Sequence, residues 1–409
     1  MSLALETYEA VLRPAELPRT RVEALYVHIP FCFHKCHYCD FYSITRQTPE
    51  RMERFVDRIL VEADMWATTP VTIVPQTVFF GGGTPTLLPV DAMRRLIRGL
   101  RQRIDLLRVC EWTIEANPAT VSAEYCGMLR AAGVDRLSFG AQSFDRAQLE
   151  TLERHHDPDD VPRSVEIARS AGFARLNLDL IYAIPGQDLP SWSASLEQAI
   201  ALGTTHLSCY GLTYEPNTPI AVRRRLGLLH QAEENLELRM LHHARQRLER
   251  AGLPAYEISN YARPGEECRH NLTYWTGGNY IALGPSGASH VQGWRWRNRP
   301  HLGEWERSID AGELPDFGEL SRVAIEVEHL SPRQRAGELA MLLLRLSRGL
   351  NFADFADRTG LDARELWRDP IERYSAAGLL EADKIGVRLS PRGLAVADAL
   401  AAEFLQGEP

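Results

Sequence analysis

Cys32, Cys36 and Cys39 stand in the spacing C-x3-C-x2-C, three of the chain's seven cysteines inside eight of its 409 positions. They follow the apolar run 25–29, which Pro30 ends, so they read as a loop leaving a strand. A loop can fold its thiolates around one centre; a rigid helix or strand at this spacing cannot. A disulfide framework would leave one of the three unpaired, and nothing else marks a secreted chain. A structural zinc site needs a fourth ligand, which His28, His34 or His37 could supply, and that reading stays open. A chance cluster of buried thiols fits poorly with Lys35 and Asp40 in the same loop. An iron–sulfur cluster normally takes four thiolates, so three would leave one iron open to a small-molecule ligand.

Other segments carry chemistry-bearing residues further on. Gly81-Gly82-Gly83-Thr84-Pro85-Thr86 lets backbone approach a ligand closely, but it lacks the lysine of a phosphate loop. Glu115, in Glu-Ala-Asn-Pro, and Gln142 come where strands should end, and Arg154 follows a helix. Taken alone, Arg154 is a charge that favours the helix macrodipole. Asp179 lies among apolar neighbours, where an acid is costly unless paired. His155-His156 beside Asp157 reads as a solvated pair whose side chains diverge, and Arg223-Arg224-Arg225 as a solvated face. His270, in Cys-Arg-His-Asn-Leu-Thr-Tyr-Trp with Asn271 and Tyr274, is of the type that ligates heme iron. A hydrogen-bonded interior histidine is the plainer alternative. The alternating run 294–299 reads as a strand with one aromatic face, or as arginines serving carboxylates; single-strand nucleic-acid stacking fits an acidic chain less well.

The elements that must position these residues alternate. Strands are expected at 25–29, 77–80, 111–115, 136–139, 176–181 and 206–210. Helices are expected at 49–66, 90–103, 122–132, 145–154 with 159–171, and 191–202. Strands alternating with helices imply a parallel sheet with right-handed crossovers, and six units fall two short of a closed eightfold barrel. The expected fold is therefore α/β, a partial six-unit barrel with its polar strand ends at one mouth. A charged helix at 230–251 packs outside. A smaller C-terminal domain has helices at 332–346, 352–359, 362–377 and 391–404 and a hairpin at 379–389, winged-helix-like in outline but without a basic stripe for DNA. The division expected is a leader at 1–20, a barrel at 21–255, a linking and heme-binding segment at 256–315 with a linker near 311–316, and a helical domain at 316–409.

A net charge of -8 argues against general nucleic-acid or anionic-membrane binding. No apolar run approaches the roughly 20 residues of a membrane span, and the N-terminus lacks the pattern of a signal peptide. Cys110, Cys126, Cys209 and Cys268 are scattered singly and read as reduced structural thiols of a cytoplasmic protein.

Cys-x3-Cys-x-Tyr-Cys, with Tyr38 before the third cysteine, resembles the defining motif of the radical S-adenosylmethionine (SAM) superfamily. With its flanks, from Tyr26 to Asp40-Phe41, it resembles the branch holding oxygen-independent coproporphyrinogen III oxidase and the HemW-type heme chaperones. The resemblance implies a [4Fe-4S] cluster on Cys32, Cys36 and Cys39, whose open iron is chelated by SAM and which cleaves it to a 5′-deoxyadenosyl radical. It implies SAM contacts at Tyr26, Tyr38, Gly82, Gly83, Thr84, Glu115, Gln142, Arg154 and Asp179, with Arg154 suited to a ligand carboxylate. It implies heme binding around His270, Asn271 and Tyr274, and delivery of heme to an acceptor protein, with transient contact to a membrane-bound one compatible. Two departures matter. Phe41 stands where the oxidase carries a fourth cysteine, and Ala288 stands where the branch's Gly-Pro-Gly-Ala-His-Ser run has its histidine, with His290 two residues on. Phe41, together with only about twenty residues before the first strand, tilts the expectation from oxidase to chaperone. A SAM-dependent methyltransferase or cyclopropanase, and a heme-binding module whose cluster is structural, remain as alternatives.

Overall fold

Six parallel strands carry the site: β1 (Thr20–Ile29), β2 (Val71–Gly82), β3 (Glu111–Ala116), β4 (Arg136–Gln142), β5 (Arg175–Tyr182) and β6 (His206–Gly211). The structure, a computed structural model, describes residues 19–312 and 324–405; residues 1–18 of the expected leader and 313–316 of the expected linker lie outside the described residues. The helices between the strands are α1 (Pro49–Trp66), α2 (Val90–Arg103), α3 (Ala123–Ala131), α4 (Arg146–Thr151), α5 (Asp160–Ser170) and α6 (Leu189–Ala201). Their ends are set by local chemistry. Thr48 caps α1 with Pro49 in its first turn, and Asp188 with Ser191 forms a capping box on α6.

The strands show a pattern that parallel sheets buried on both faces rarely have. In β5 the residues Leu176, Leu178 and Leu180 are buried in the main core with the helices, while Arg175, Asn177 and Asp179 point the other way. The same alternation gives Glu111, Thr113 and Glu115 in β3, Arg136 and Ser138 in β4, and His206 and Ser208 in β6. These inward residues bond to one another in layers. Arg136 Nη2 reaches Glu111 Oε2 at 3.1 Å, and Asn177 Nδ2 donates to Ser138 Oγ at 2.8 Å and Ser208 Oγ at 3.1 Å. The barrel interior is a polar column, and a buried polar column needs every group paired.

The sheet runs beyond the six strands to eleven among the described residues. After α7 (Pro219–Arg225) and α8 (Glu234–Arg250), β7 (Asn260–Ala262) adds antiparallel to β6. The helix α9 (Arg269–Trp275) then leads to β8 (Tyr280–Leu283), which pairs parallel to β1. It is followed by β9 (Ala288–Val291), β10 (Trp294–Asn298), α10 (Leu302–Asp310) and β11 (Ala324–His329). The strands β8 and β9 are four residues each, too short for a period to be read. Of the run 294–299, residues 294–298 form the strand, with Trp296 buried against Trp66, and Arg295 and Arg297 pair with Glu328, Glu338 and Glu326.

The C-terminal domain holds α11 (Pro332–Leu344), β12 (Leu350–Asn351), α12 (Phe352–Thr359), α13 (Ala363–Leu366), α14 (Arg368–Ala376), β13 (Leu380–Ala382), β14 (Gly386–Leu389) and α15 (Ala397–Leu405). The single helix expected over 362–377 is broken at Trp367, whose backbone leaves the helical region (φ -126, ψ 37) so that its ring packs on Phe355 and Phe404. The expected hairpin gains β12 as a third strand, in the order β12-β14-β13. This domain has its own core, and Leu272 and Trp275 of α9 pack against it.

Candidate functional site

The cysteine loop leaves β1 and is fastened on three sides. Cys32 N–H bonds to Ile44 O (2.9 Å), His37 N–H to Leu152 O (3.2 Å), and Ile220 N–H, at the start of α7, to His37 O (3.0 Å). None of the three thiols is in a disulfide. Thr84 Oγ1 lies 3.9 Å from Cys32 Sγ, and Arg154 Nη1 donates to Cys36 Sγ at 3.5 Å. Burial pushes the Cys32 thiol up, against hydrogen bonding from Thr84, and pushes Cys39 up to about 11. Such thiols stay protonated until a bound metal centre supplies positive charge. His28 is not free to complete a zinc site: its Nε2 bonds to Tyr42 O at 2.9 Å and its Nδ1 to Tyr26 Oη at 3.2 Å, with burial lowering its pKa to about 4.

The glycine run at the end of β2 is glycine because Glu115, the His28 ring and the start of the cysteine loop crowd it in turn. Gly83 N–H bonds to Ile29 O (2.9 Å) and Thr84 N–H to Phe31 O (2.7 Å). A Cβ on Gly82, whose φ is +103°, would come within 2.4 Å of the His28 ring, and one on Gly83 within 2.6 Å of Phe31 O. Gly82→Ala is expected to displace the loop and cut cluster iron several-fold while circular dichroism stays near wild type; full iron loading would show that the loop does not depend on this contact.

Two carboxylates face the same mouth. Gly82 N–H bonds to Glu115 Oε2 at 3.1 Å, and Asp179 accepts from Ser138 Oγ at 3.0 Å and Asn177 Nδ2 at 2.8 Å. Burial raises the Glu115 pKa to about 8, with Asp179 adding to the rise and the Gly82 N–H opposing it. Burial also raises Asp179, against hydrogen bonds from Ser208, Asn177 and Ser138. Two half-buried acids this close resist ionising together. Gln142 is held beside them at φ +63°, at a register shift between β4 and β5. Its Nε2 and Arg154 Nη2 both crowd Gly140, where a Cβ would sit 2.8 Å from each. A left-handed non-glycine residue at a bulge is the kind of strain found at ligand sites. Tyr38 packs on the apolar cluster of Leu152, Ile181, Ile184, Leu212 and Ile220 beside the thiols. Tyr26 stacks on Phe79, its hydroxyl held un-ionised by burial and by Glu115.

The second motif lies elsewhere, beneath the barrel. His270 is 1% exposed, its Nδ1 2.8 Å from Thr77 Oγ1, its Nε2 2.8 Å from Tyr274 Oη, and its ring stacked on Phe79. Burial lowers its pKa to about 3. Both ring nitrogens are engaged, which is the geometry of the interior-histidine alternative. Asn271 bonds to the Tyr256 side chain. His290 is likewise engaged, with Nδ1 donating to Gly278 O (2.8 Å) and Nε2 accepting from Gly293 N–H (3.1 Å).

Glu111 went unmarked in the sequence because a charge at a strand start reads as solvated. It is fully buried: Oε1 accepts from His270 N–H (3.0 Å), and Oε2 accepts from Arg269 N–H (3.1 Å) and Arg136. It thus caps α9 and holds the histidine motif under the barrel. His155 and His156 do diverge, but only His155 is exposed; His156 is buried, and burial and Arg154 lower its pKa to about 4.

The radical SAM superfamily pattern matches residues 26–199, and the HemN C-terminal domain matches residues 330–396. The Heme chaperone HemW of Bacillus subtilis is 33% identical over 390 residues, covering 94% of this chain and 99% of that one. The Heme chaperone HemW of Lactococcus lactis is 30% identical over 93% of this chain and 96% of its own. The solved coproporphyrinogen III oxidase (HemN) of Escherichia coli superposes with a TM-score of 0.81 over 98% of this chain and 95% of that one, at 21% identity, which speaks for the fold alone. With 33% identity sustained over nearly the full length of the Bacillus subtilis relative, the chain belongs to the heme chaperone HemW family of radical SAM proteins.

Proposed function

We propose that this protein is a cytoplasmic heme chaperone that holds one [4Fe-4S] cluster on Cys32, Cys36 and Cys39, SAM at the barrel mouth and heme for transfer to an acceptor protein. The observation that carries it is the convergence on one mouth of three loop thiols, Arg154 on Cys36, and the paired acids Glu115 and Asp179. When bound, the cluster and SAM supply one-electron chemistry. The chain's own groups do the rest. Glu115, held by the Gly82 N–H, receives the ligand's ammonium; Arg154 and Gln142 orient its carboxylate; Asp179, steadied by Ser138 and Asn177, takes the ribose. The shape of this site supports the reading, and so does membership of the family.

The pH dependence follows from Glu115. A cationic ligand binds the ionised carboxylate, so below a pKa of about 8 binding must expel a proton. SAM affinity is expected to rise by up to tenfold per pH unit from pH 6 and to level off near 8, and Glu115→Gln should flatten the profile. A slope that persists in that variant would assign the proton elsewhere.

Heme ligation by His270 requires Tyr274 to release Nε2 and α9 to shift, since the ring is enclosed. Heme titration of the cluster-loaded protein is expected to give a saturable Soret shift, weakened in His270→Ala and strengthened in Tyr274→Phe. If the protein gives no shift and converts coproporphyrinogen III with SAM and a reductant, it is the oxidase instead.

A further inference from the structure

The turn that delivers Arg154 to the cluster loop also places a second set of ligands beside it. Helix α4 ends in a Schellman turn: Arg154 N–H bonds to Leu149 O at 2.9 Å and Glu153 N–H to Glu150 O at 3.0 Å. The left-handed position of such a turn is normally glycine, yet here it is Glu153, at φ +54°. Its carboxylate is turned toward His34 of the cysteine loop, with Glu153 Oε2 3.6 Å from His34 Nε2. The His155 ring meets the His34 ring edge-on, centroids 4.3 Å apart. Ligand atoms of His34, Glu153 and His155 all lie within 4.8 Å of one another, the one such group among the described residues.

Two further details separate this trio from a casual surface cluster. His34 Nε2 is shielded from solvent and makes no hydrogen bond among the described residues; 3.6 Å to Glu153 is too long for one. The other carboxylate oxygen is oriented from behind. Arg223 Nη1 donates to His37 Nδ1 at 3.4 Å, which leaves the His37 proton on Nε2, facing Glu153 Oε1 at 3.9 Å. An orienting partner behind a carboxylate, with its free oxygen turned to two imidazoles, is the arrangement that supports metal ligands.

We propose that His34, Glu153 and His155 form a second metal site, distinct from the cysteine cluster, for one divalent cation of the zinc or ferrous class. Two imidazoles and a carboxylate leave open positions for water and suit such ions. Tetrahedral zinc would draw the ligand atoms to about 3.4 Å apart, a closure from at most 4.8 Å that the exposed His155 can make. The bound ion would clamp the cysteine loop to the turn that carries Arg154.

The test uses full-length protein with its cluster assembled anaerobically, dialysed against Zn2+ and, separately, Co2+. One zinc per chain above the cluster iron is expected, and a cobalt spectrum with ligand-field bands but no thiolate charge transfer. Both should be lost in His155→Ala and Glu153→Gln, with iron and sulfide unchanged. No zinc beyond the cluster, thiolate charge transfer from cobalt, or zinc retained in both variants would each overturn the proposal.

Discussion

Cys36→Ala is expected to bring cluster iron and sulfide from near cluster stoichiometry to background after anaerobic reconstitution, and Cys32→Ala and Cys39→Ala to do the same. Three thiolates are already one short of a full ligand set, so the loop has none to spare. No other cysteine can step in. Cys126, Cys209 and Cys268 are buried, Cys268 beneath the barrel against Glu111, and Cys110 lies just before the start of β3, at the end of the barrel away from the mouth. Cys36 is the most telling of the three because it is buried and receives the Arg154 guanidinium. The barrel core does not include these side chains, so thermal unfolding of the apoprotein should move little. Iron and sulfide analysis with absorption spectroscopy reads the result; a cluster kept in all three variants would remove the basis of the proposed function.

The largest loss of stability is expected from Glu111→Ala. Glu111 is 0% exposed and its partner Arg136 is 1% exposed. Arg175 Nη2, on β5, stands 3.6 Å from the Glu111 carboxylate, with its own ties to Asp135 and Glu266. Removing the carboxylate leaves the Arg136 charge buried with only the carbonyls of Glu266 and Glu267 to face, an arrangement that costs about 3–5 kcal/mol. The first N–H groups of α9 lose their acceptor at the same time, at about 1 kcal/mol. Glu111→Gln keeps one acceptor oxygen and should lose distinctly less. Denaturant unfolding measures both. Because α9 carries His270 inward and Leu272 and Trp275 outward against the C-terminal domain, the alanine variant should also loosen that domain, visible as earlier proteolysis there. Equal stability of Glu111→Ala and wild type would show that this carboxylate is not what ties β3 to β4 and to the start of α9.

Much of the frame was legible because it is written locally. Helices expected at 49–66, 90–103 and 352–359 have the observed bounds, and two of the three are announced by their caps, Thr48-Pro49 and Asn351. The six strands were found, each shorter than it is: β1 and β2 begin five and six residues earlier, where Arg21, Glu23, Pro75 and Gln76 interrupt the apolar run, and β4 and β6 run on through glycine at the mouth. The short strands β8 and β9 were not found, because four residues hold no period. Trp367 was read through as helix, since the packing that breaks it comes from Phe355 and Phe404.

The cysteine spacing, the glycine run and the order of Glu115, Gln142, Arg154 and Asp179 were determined by the sequence alone, because ligand type and chain spacing are local properties. Which way a side chain faces is not. The alternation Arg175, Asn177, Asp179 could be read in β5, but only the curling of the sheet decides that this face is a hydrogen-bonded polar column and not a solvated surface. Likewise the sequence leaves His270 between a heme ligand and an interior histidine, and only the fold shows a carboxylate 159 positions earlier capping its helix and turning it inward. Contacts of that separation are made by the tertiary fold, and they assign the histidine to the barrel floor and the thiols to its mouth.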